Sequence, residues 1–344
     1  SSTSSLLDRC KKAVKLVTSA AVRPLQTAIL PDKGAMLPML SNLMTVGGQV
    51  LTLFLMMMTG YCLGKAKLLP KEALPGMTNV AIYLGITCMV IKGFELEYTD
   101  QTLHQFLWAL LLSVLVHIIN FILSDILIRS HDQDSKRVLI CCAVFSNVGF
   151  IGYPLLQGVM GHIGLLYGSA YNLIFMLIMW TLGLRFLSGS FGSWRKIILN
   201  PGVISIILGL SIFFFRIELP PILESAVTHF GNLSVPLPML IIGCQLANAD
   251  LKALLHDRWN WISAALRLLI LPILELFLFQ LCGFRGDLLL GIVICAAAPP
   301  AALVAMLSES CGRDPVLASG AVSFQTLLSV LTMPVVVSIA QLFA

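Results

Sequence analysis

Long uncharged apolar runs alternate with short polar stretches along most of the chain. A run of about 18 residues or more can cross the hydrocarbon of a bilayer as a helix rising 1.5 Å per residue. Such runs fall at 36–64, 73–93, 104–128, 138–161 and 163–187. After the polar stretch Ser188–Lys196 they resume at 197–215, 222–249, 259–281, 287–309 and 315–343. The pattern predicts an all-α membrane protein with ten transmembrane helices. Barrel strands would instead read as segments of about ten residues with alternating polarity.

Composition narrows this further. Apolar residues make up 58% of the 344 and charged residues 11%, and the mean hydropathy is +0.91. A soluble fold could not hide so much apolar surface, so soluble enzymes, disordered chains and nucleic-acid binders are excluded and the lipid bilayer is the expected partner. Nine cysteines are scattered without a CxxC pair, most of them inside apolar runs, where they act as small hydrophobes. No HExxH, GxSxG or paired-carboxylate motif appears, so neither an enzyme nor a metal site is expected.

Charge placement sets an orientation. With the start of the first span outside, the inner loops hold Lys65, Lys67, Lys71, Arg129, Lys136, Arg137, Arg185, Arg195, Lys196, Lys252, Arg258 and Arg313. The outer loops hold only Lys92, Arg216 and Arg285. This positive-inside bias predicts a multi-pass protein of the plasma membrane (the inner membrane in a Gram-negative cell), with both ends of the ten-helix core outside. Residues 1–35 do not fit this scheme. Leu7, Cys10, Val14, Val17 and Ala21 follow a helical spacing among basic residues, which suggests an amphipathic segment extra to the core.

Five spans on either side of a short linker suggest a duplication: 36–187, the linker 188–196, then 197–344. Leu69-Pro70 is echoed by Leu219-Pro220, and the pair His117/Asp125 by Arg267/Glu275. An odd number of spans per repeat inverts the second half, which is an architecture of secondary transporters whose site lies at interrupted helices near the midplane. Span four reads Phe145-Ser146-Asn147-Val-Gly149-Phe-Ile-Gly152-Tyr153-Pro154. Pro154 cannot donate to the carbonyl four residues back, the glycines weaken the helix, and Asn147 can both donate and accept. Span nine carries Pro299-Pro300-Ala301, which removes two donors in mid-span. Two helices broken there and crossing would present free amides and partial positive charge to an anion. Ser146, Asn147, Gly149, Gly152, Tyr153, Pro154, Pro299, Pro300 and Ala301 are therefore candidate substrate ligands.

Ser146 to Leu156, Asn200-Pro201-Gly202, Pro238-Met-Leu-Ile-Ile-Gly243, Trp180-Thr-Leu-Gly183 and the double-proline span together resemble the auxin efflux carrier family over about 37–344. The resemblance implies two inverted five-helix repeats with crossing helices four and nine, elevator-type movement against a scaffold, and organic monoanion or dicarboxylate substrates. The chain departs from the long-loop plant members in its short central linker, and it has two prolines where one is expected.

Other polar groups fall inside spans. Arg267 and Glu275 stand about 12 Å apart along one helix and cannot pair directly. With His117 and His229 they are candidates for charge compensation or coupling. Asn172 and Gln245 are uncharged ligand candidates. Asp125 is expected to pair with Arg129, four residues on. No cofactor is expected, and coupling to H⁺ or Na⁺ stays open, as does a homodimer. The function expected is secondary transport of a small organic anion, in the direction of efflux or exchange. The alternative is a non-transporting membrane sensor on the same scaffold.

Overall fold

The computed structural model describes residues 33–96, 99–130, 132–189, 199–248 and 252–343. Most of the basic N-terminal segment and of the linker 188–196 lies outside the described residues. Among the described residues the secondary structure is helical, with no strand and a single isolated bridge, Ser146 to Pro300. Seven stretches are long and apolar enough to cross a membrane, and Pro201–Phe215 and Gly286–Ala297 are shorter apolar helices.

In chain order the elements are α1 (Lys33–Lys65), α2 (Leu74–Gly93) and α3 (Asp100–Leu127), then α4 (Gln133–Val144), α5 (148–160) and α6 (162–188). They continue with α7 (Pro201–Phe215), α8 (Pro221–Asn248) and α9 (Arg258–Leu281), then α10 (Gly286–Ala297), α11 (Ala302–Ser310) and α12 (Pro315–Gln341). Gly161 separates α5 from α6 at φ +63°, ψ −141°, a backbone conformation that glycine tolerates and other residues rarely adopt.

Local chemistry places the helix ends. The Asp132 carboxylate accepts from the Ser135 and Asp134 amides at the start of α4. The Ser135 hydroxyl and amide, with the Asp134 amide, hold that carboxyl below its ordinary range. Thr99 and Thr102 form a reciprocal cap on α3, and Asn200 followed by Pro201 opens α7. Asp125 pairs with Lys136 at 2.8 Å, not with Arg129 as the helical spacing suggested. The Arg129 Nε instead donates to the Ile126 carbonyl, so the turn into α4 brings Lys136 to Asp125. Arg313 joins Asp134 and also donates to the Leu187 carbonyl, tying the ends of α4, α6 and α11 together.

The helices sort into two groups by packing. α3, α4, α5, α6 and α9 to α12 pack on one another, while α2 packs chiefly against α7 and α8; α2 and α7 also touch the helix Tyr153–Ile178. In the first group, Ser263 of α9 donates to the Leu139 carbonyl of α4 and accepts from Gln325 of α12. α1 meets α8 across small residues. A Cβ on Gly60 would strike the Leu240 backbone, and one on Gly243 the Met57 backbone. Gly60-xxx-Gly64 thus faces Gly243-xxx-Ala247, the small-residue spacing that lets membrane helices approach closely.

Candidate functional site

The chain leaves helical geometry at two places, and the two places pair. α4 ends at Val144, and Phe145 is extended. α10 ends at Ala297, and Ala298 and Ala301 are both extended. The Asn147 amide donates to the Pro299 carbonyl at 2.7 Å, and the Ala301 amide to the Phe145 carbonyl at 2.9 Å. These two bonds satisfy backbone groups that lipid could not.

The causes of the two interruptions differ. Before Pro299 and Pro300 the preceding residues are pushed out of the α region, and neither proline can donate. Pro154 does not mark the other interruption, contrary to the sequence-based expectation. It lies in the first turn of the helix Tyr153–Ile178, after a π turn over Val148–Gly152. The turn is wide because the Gly152 amide reaches the Asn147 carbonyl and the Tyr153 amide the Val148 carbonyl, five residues back in each case. α4 stops upstream of Pro154, where Asn147 caps the next helix by accepting the Phe150 amide at 3.1 Å and its own amide pairs across.

On one side of the crossing lies a cavity of about 150 Å³. Ser146, Asn147, Gly149, Asn172 and Ala301 line it, all of them sequence-derived candidates. Thr78, Asn200 and Gly202 also line it and were not proposed as ligands. The signal for the last two was present, because an Asn-Pro-Gly start is a helix N-cap, but nothing local says which cavity that cap faces. Three helix starts therefore meet one space: α5 at Gly149, α7 at Gly202 and α11 at Ala302. Among the described residues no Asp, Glu, Lys, Arg or His lines this cavity. Ala301 gives α11 no side-chain cap, so the first amides of that helix lack an intrahelical acceptor.

The remaining candidates sit elsewhere. Gly152, Tyr153 and Pro154 are buried in packing behind the cavity, with the Tyr153 ring close to Gly168. Pro299 and Pro300 take part through the backbone pairing. Gln245 lines a different cavity of about 340 Å³ with Asn248, Glu309 and Ser323; Ala302 and Met306 border both spaces. His229 is exposed on α8.

Arg267 has no place in the cavity lining. It is fully buried and caps the crossing from the opposite side. Its Nε donates to the Ala298 carbonyl at 2.9 Å, and its Nη2 to Ala296 at 2.5 Å. Its Nη1 donates to Ala143 at 3.2 Å and to Val144 at 3.1 Å. One guanidinium thus serves the carboxyl ends of both α4 and α10, where the helix dipoles are negative. Glu275 and His117 are also fully or nearly fully buried. His117 Nδ1 pairs with the Ser113 carbonyl at 2.7 Å, and its ring packs against Tyr171. Tyr171 in turn accepts from the Ser146 hydroxyl.

Comparison with known proteins is consistent with a membrane carrier. A family model described as membrane transport protein matches residues 45–193 and 185–337. An uncharacterized transporter of Methanothermobacter thermautotrophicus is 25% identical over 293 residues, covering 83% of this chain and 95% of the relative. An uncharacterized transporter of Methanocaldococcus jannaschii is 23% identical over 296 residues, with the same coverage of 83% and 95%. These descriptions name transport across a membrane, not catalysis. The chain belongs to the membrane transport protein family that includes the auxin efflux carriers.

Proposed function

We propose that the protein is a secondary transporter of a small organic anion, a mono- or dicarboxylate, bound in the cavity beside the crossing of residues 145–147 and 298–301. The observation that carries this reading is the meeting of three helix amino ends on one cavity whose lining holds no carboxylate. Each helix start carries partial positive charge, and the first amides of α11 have no side-chain cap, the chemistry that binds a carboxylate without a lysine or arginine. The volume equals roughly five waters at about 30 Å³ each, which suits a compact acid.

In this reading α4 with α5, and α10 with α11, are each one interrupted pass, so the core has ten passes in two inverted halves. The grouping of helices supports it, because α3 to α6 and α9 to α12 occupy matching places in the two halves and pack together. The substrate-bearing group moves against α1, α2, α7 and α8 in an elevator-type cycle. Both core termini face outside the plasma membrane, as the positive-inside bias indicates.

The test is uptake of labelled mono- and dicarboxylates into proteoliposomes, comparing wild type with Asn147→Asp. Aspartate caps a helix as well as asparagine does, so the thermal midpoint should hold within about 2 °C. The added negative charge in the cavity should lower anion uptake at least about tenfold. Unchanged uptake would remove Asn147 from the site. Binding without flux in wild type would favour the sensor alternative.

A further inference from the structure

Near the crossing, and outside the cavity lining, lies a group of buried polar atoms that the anion site does not use. Glu275 is 0% exposed, and neither carboxyl oxygen has a hydrogen-bond partner. The Asn120 amide of α3 and the Arg267 guanidinium are its polar neighbours. Asn120 is also 0% exposed, with both side-chain heteroatoms unpartnered. The Ser113 carbonyl can only accept, so His117 Nδ1 carries the ring proton of the neutral imidazole and Nε2 is left bare and unpartnered.

Arg267 does not need Glu275 as its counter-ion. Four of its five N–H donors are spent on four carbonyls at the carboxyl ends of α4 and α10. Each such end carries about half a negative charge, so the two together balance the guanidinium. An ionised Glu275 would then be a surplus buried charge with the Asn120 amide as its one uncharged polar neighbour among the described residues, which is a costly arrangement in a membrane. A metal cation is disfavoured there by the fixed charge of Arg267 and by the shortage of oxygen ligands. A proton needs neither a cage nor a second anion.

A route to this carboxyl is built into α3. Ser113, His117, Asn120 and Ser124 share one buried face, and the Ser124 hydroxyl is likewise unpartnered. From His117 to Ser124 the stripe covers roughly 10 Å at 1.5 Å per residue, ending beside Asp125 and its partner Lys136. We infer that Glu275, with Asn120 beside it, is a proton-binding site in the substrate-bearing group of helices, reached along the polar stripe of α3 to which His117 belongs. The coupling of this proton to anion movement rests on the transport reading above; the proton site itself does not.

The ionisable groups around the carboxyl are few. Arg267 shares its helix, and Tyr171 faces it from α6; His117 of α3 lies against Arg267 and Tyr171. Cys295 of α10 faces Arg267, and Asp287 lies at the exposed start of that helix. α12 also packs on α9 and has no titratable side chain within Pro315–Gln341.

The test is infrared difference spectroscopy of the whole protein in lipid nanodiscs, titrated from about pH 5 to pH 9. Wild type should show a buried carboxylic-acid C=O band that titrates and is absent from Glu275→Gln. If that variant does not fold, Asn120→Leu keeps the carboxyl and should move the midpoint of the band. A titration without any such band, or a midpoint unmoved in Asn120→Leu, overturns the site. In proteoliposomes the pH dependence of carboxylate uptake should flatten in Glu275→Gln while uptake persists. Uptake whose pH dependence is the same in both proteins overturns the coupling. Absence of uptake in wild type with the band present would count against the transport reading and leave the proton site standing.

Discussion

Replacing Arg267 with leucine should leave little folded protein. The substitution strips the Ala143, Val144, Ala296 and Ala298 carbonyls of their shared donor inside a fully buried site. A buried polar group left unsatisfied costs about 1–3 kcal/mol, so four of them exceed about 5 kcal/mol, a large part of a typical net stability. At roughly 2 °C per kcal/mol for a chain of this size, the thermal midpoint of the detergent-purified protein should fall by at least about 10 °C. Arg267→Lys should fall less but should not match wild type. A lysine keeps the charge, yet its three donors cannot reproduce the planar fork that reaches both helix ends. A leucine variant melting within about 2 °C of wild type would refute the capping role and with it the charge balance argued for Glu275.

The second large effect is expected from one methyl group. Alanine is normally a better helix former than glycine by about 1 kcal/mol, so Gly243→Ala in open surroundings would stabilise α8. Here the new Cβ would meet the Met57 backbone, with the Tyr61 amide nitrogen at 2.7 Å. Backbone cannot step aside as a side chain can, so α1 and α8 must separate. Overpacking of this kind costs about 1–3 kcal/mol or more, which reverses the sign. Gly243→Ala should therefore melt lower than wild type, and Gly76→Ala on α2, where a Cβ meets nothing within 4 Å, should not. A Gly243→Ala protein as stable as wild type would mean that α1 and α8 do not cross at these glycines.

The two substitutions also differ in what a reader of the sequence could foresee. Gly243 belongs to a conspicuous Pro-Met-Leu-Ile-Ile-Gly run, and Gly60-xxx-Gly64 has the spacing of a close helix crossing. What the spacing cannot say is that the two belong to each other. Arg267 stands out as a charge inside an apolar run, with coupling and charge compensation both open. Four of its five N–H donors go to main-chain carbonyls, and main-chain carbonyls leave no mark on a sequence.

By itself the sequence determined the helical membrane class, because bilayer thickness converts directly into the length of an uncharged run. It also determined where α10 must stop, because proline acts on its own neighbours. Only the tertiary structure decided where α4 stops, since the backbone of Phe145 and Asn147 takes its partners from Pro299 and Ala301, far along the chain. It alone set Asn200 and Thr78 beside Asn147, sent Gln245 to another cavity, and exchanged Arg129 for Lys136 as the partner of Asp125. Propensity and hydropathy act over one or two helical turns. Which helix start faces which cavity is settled by packing between segments whose order in the chain carries no record of the contact.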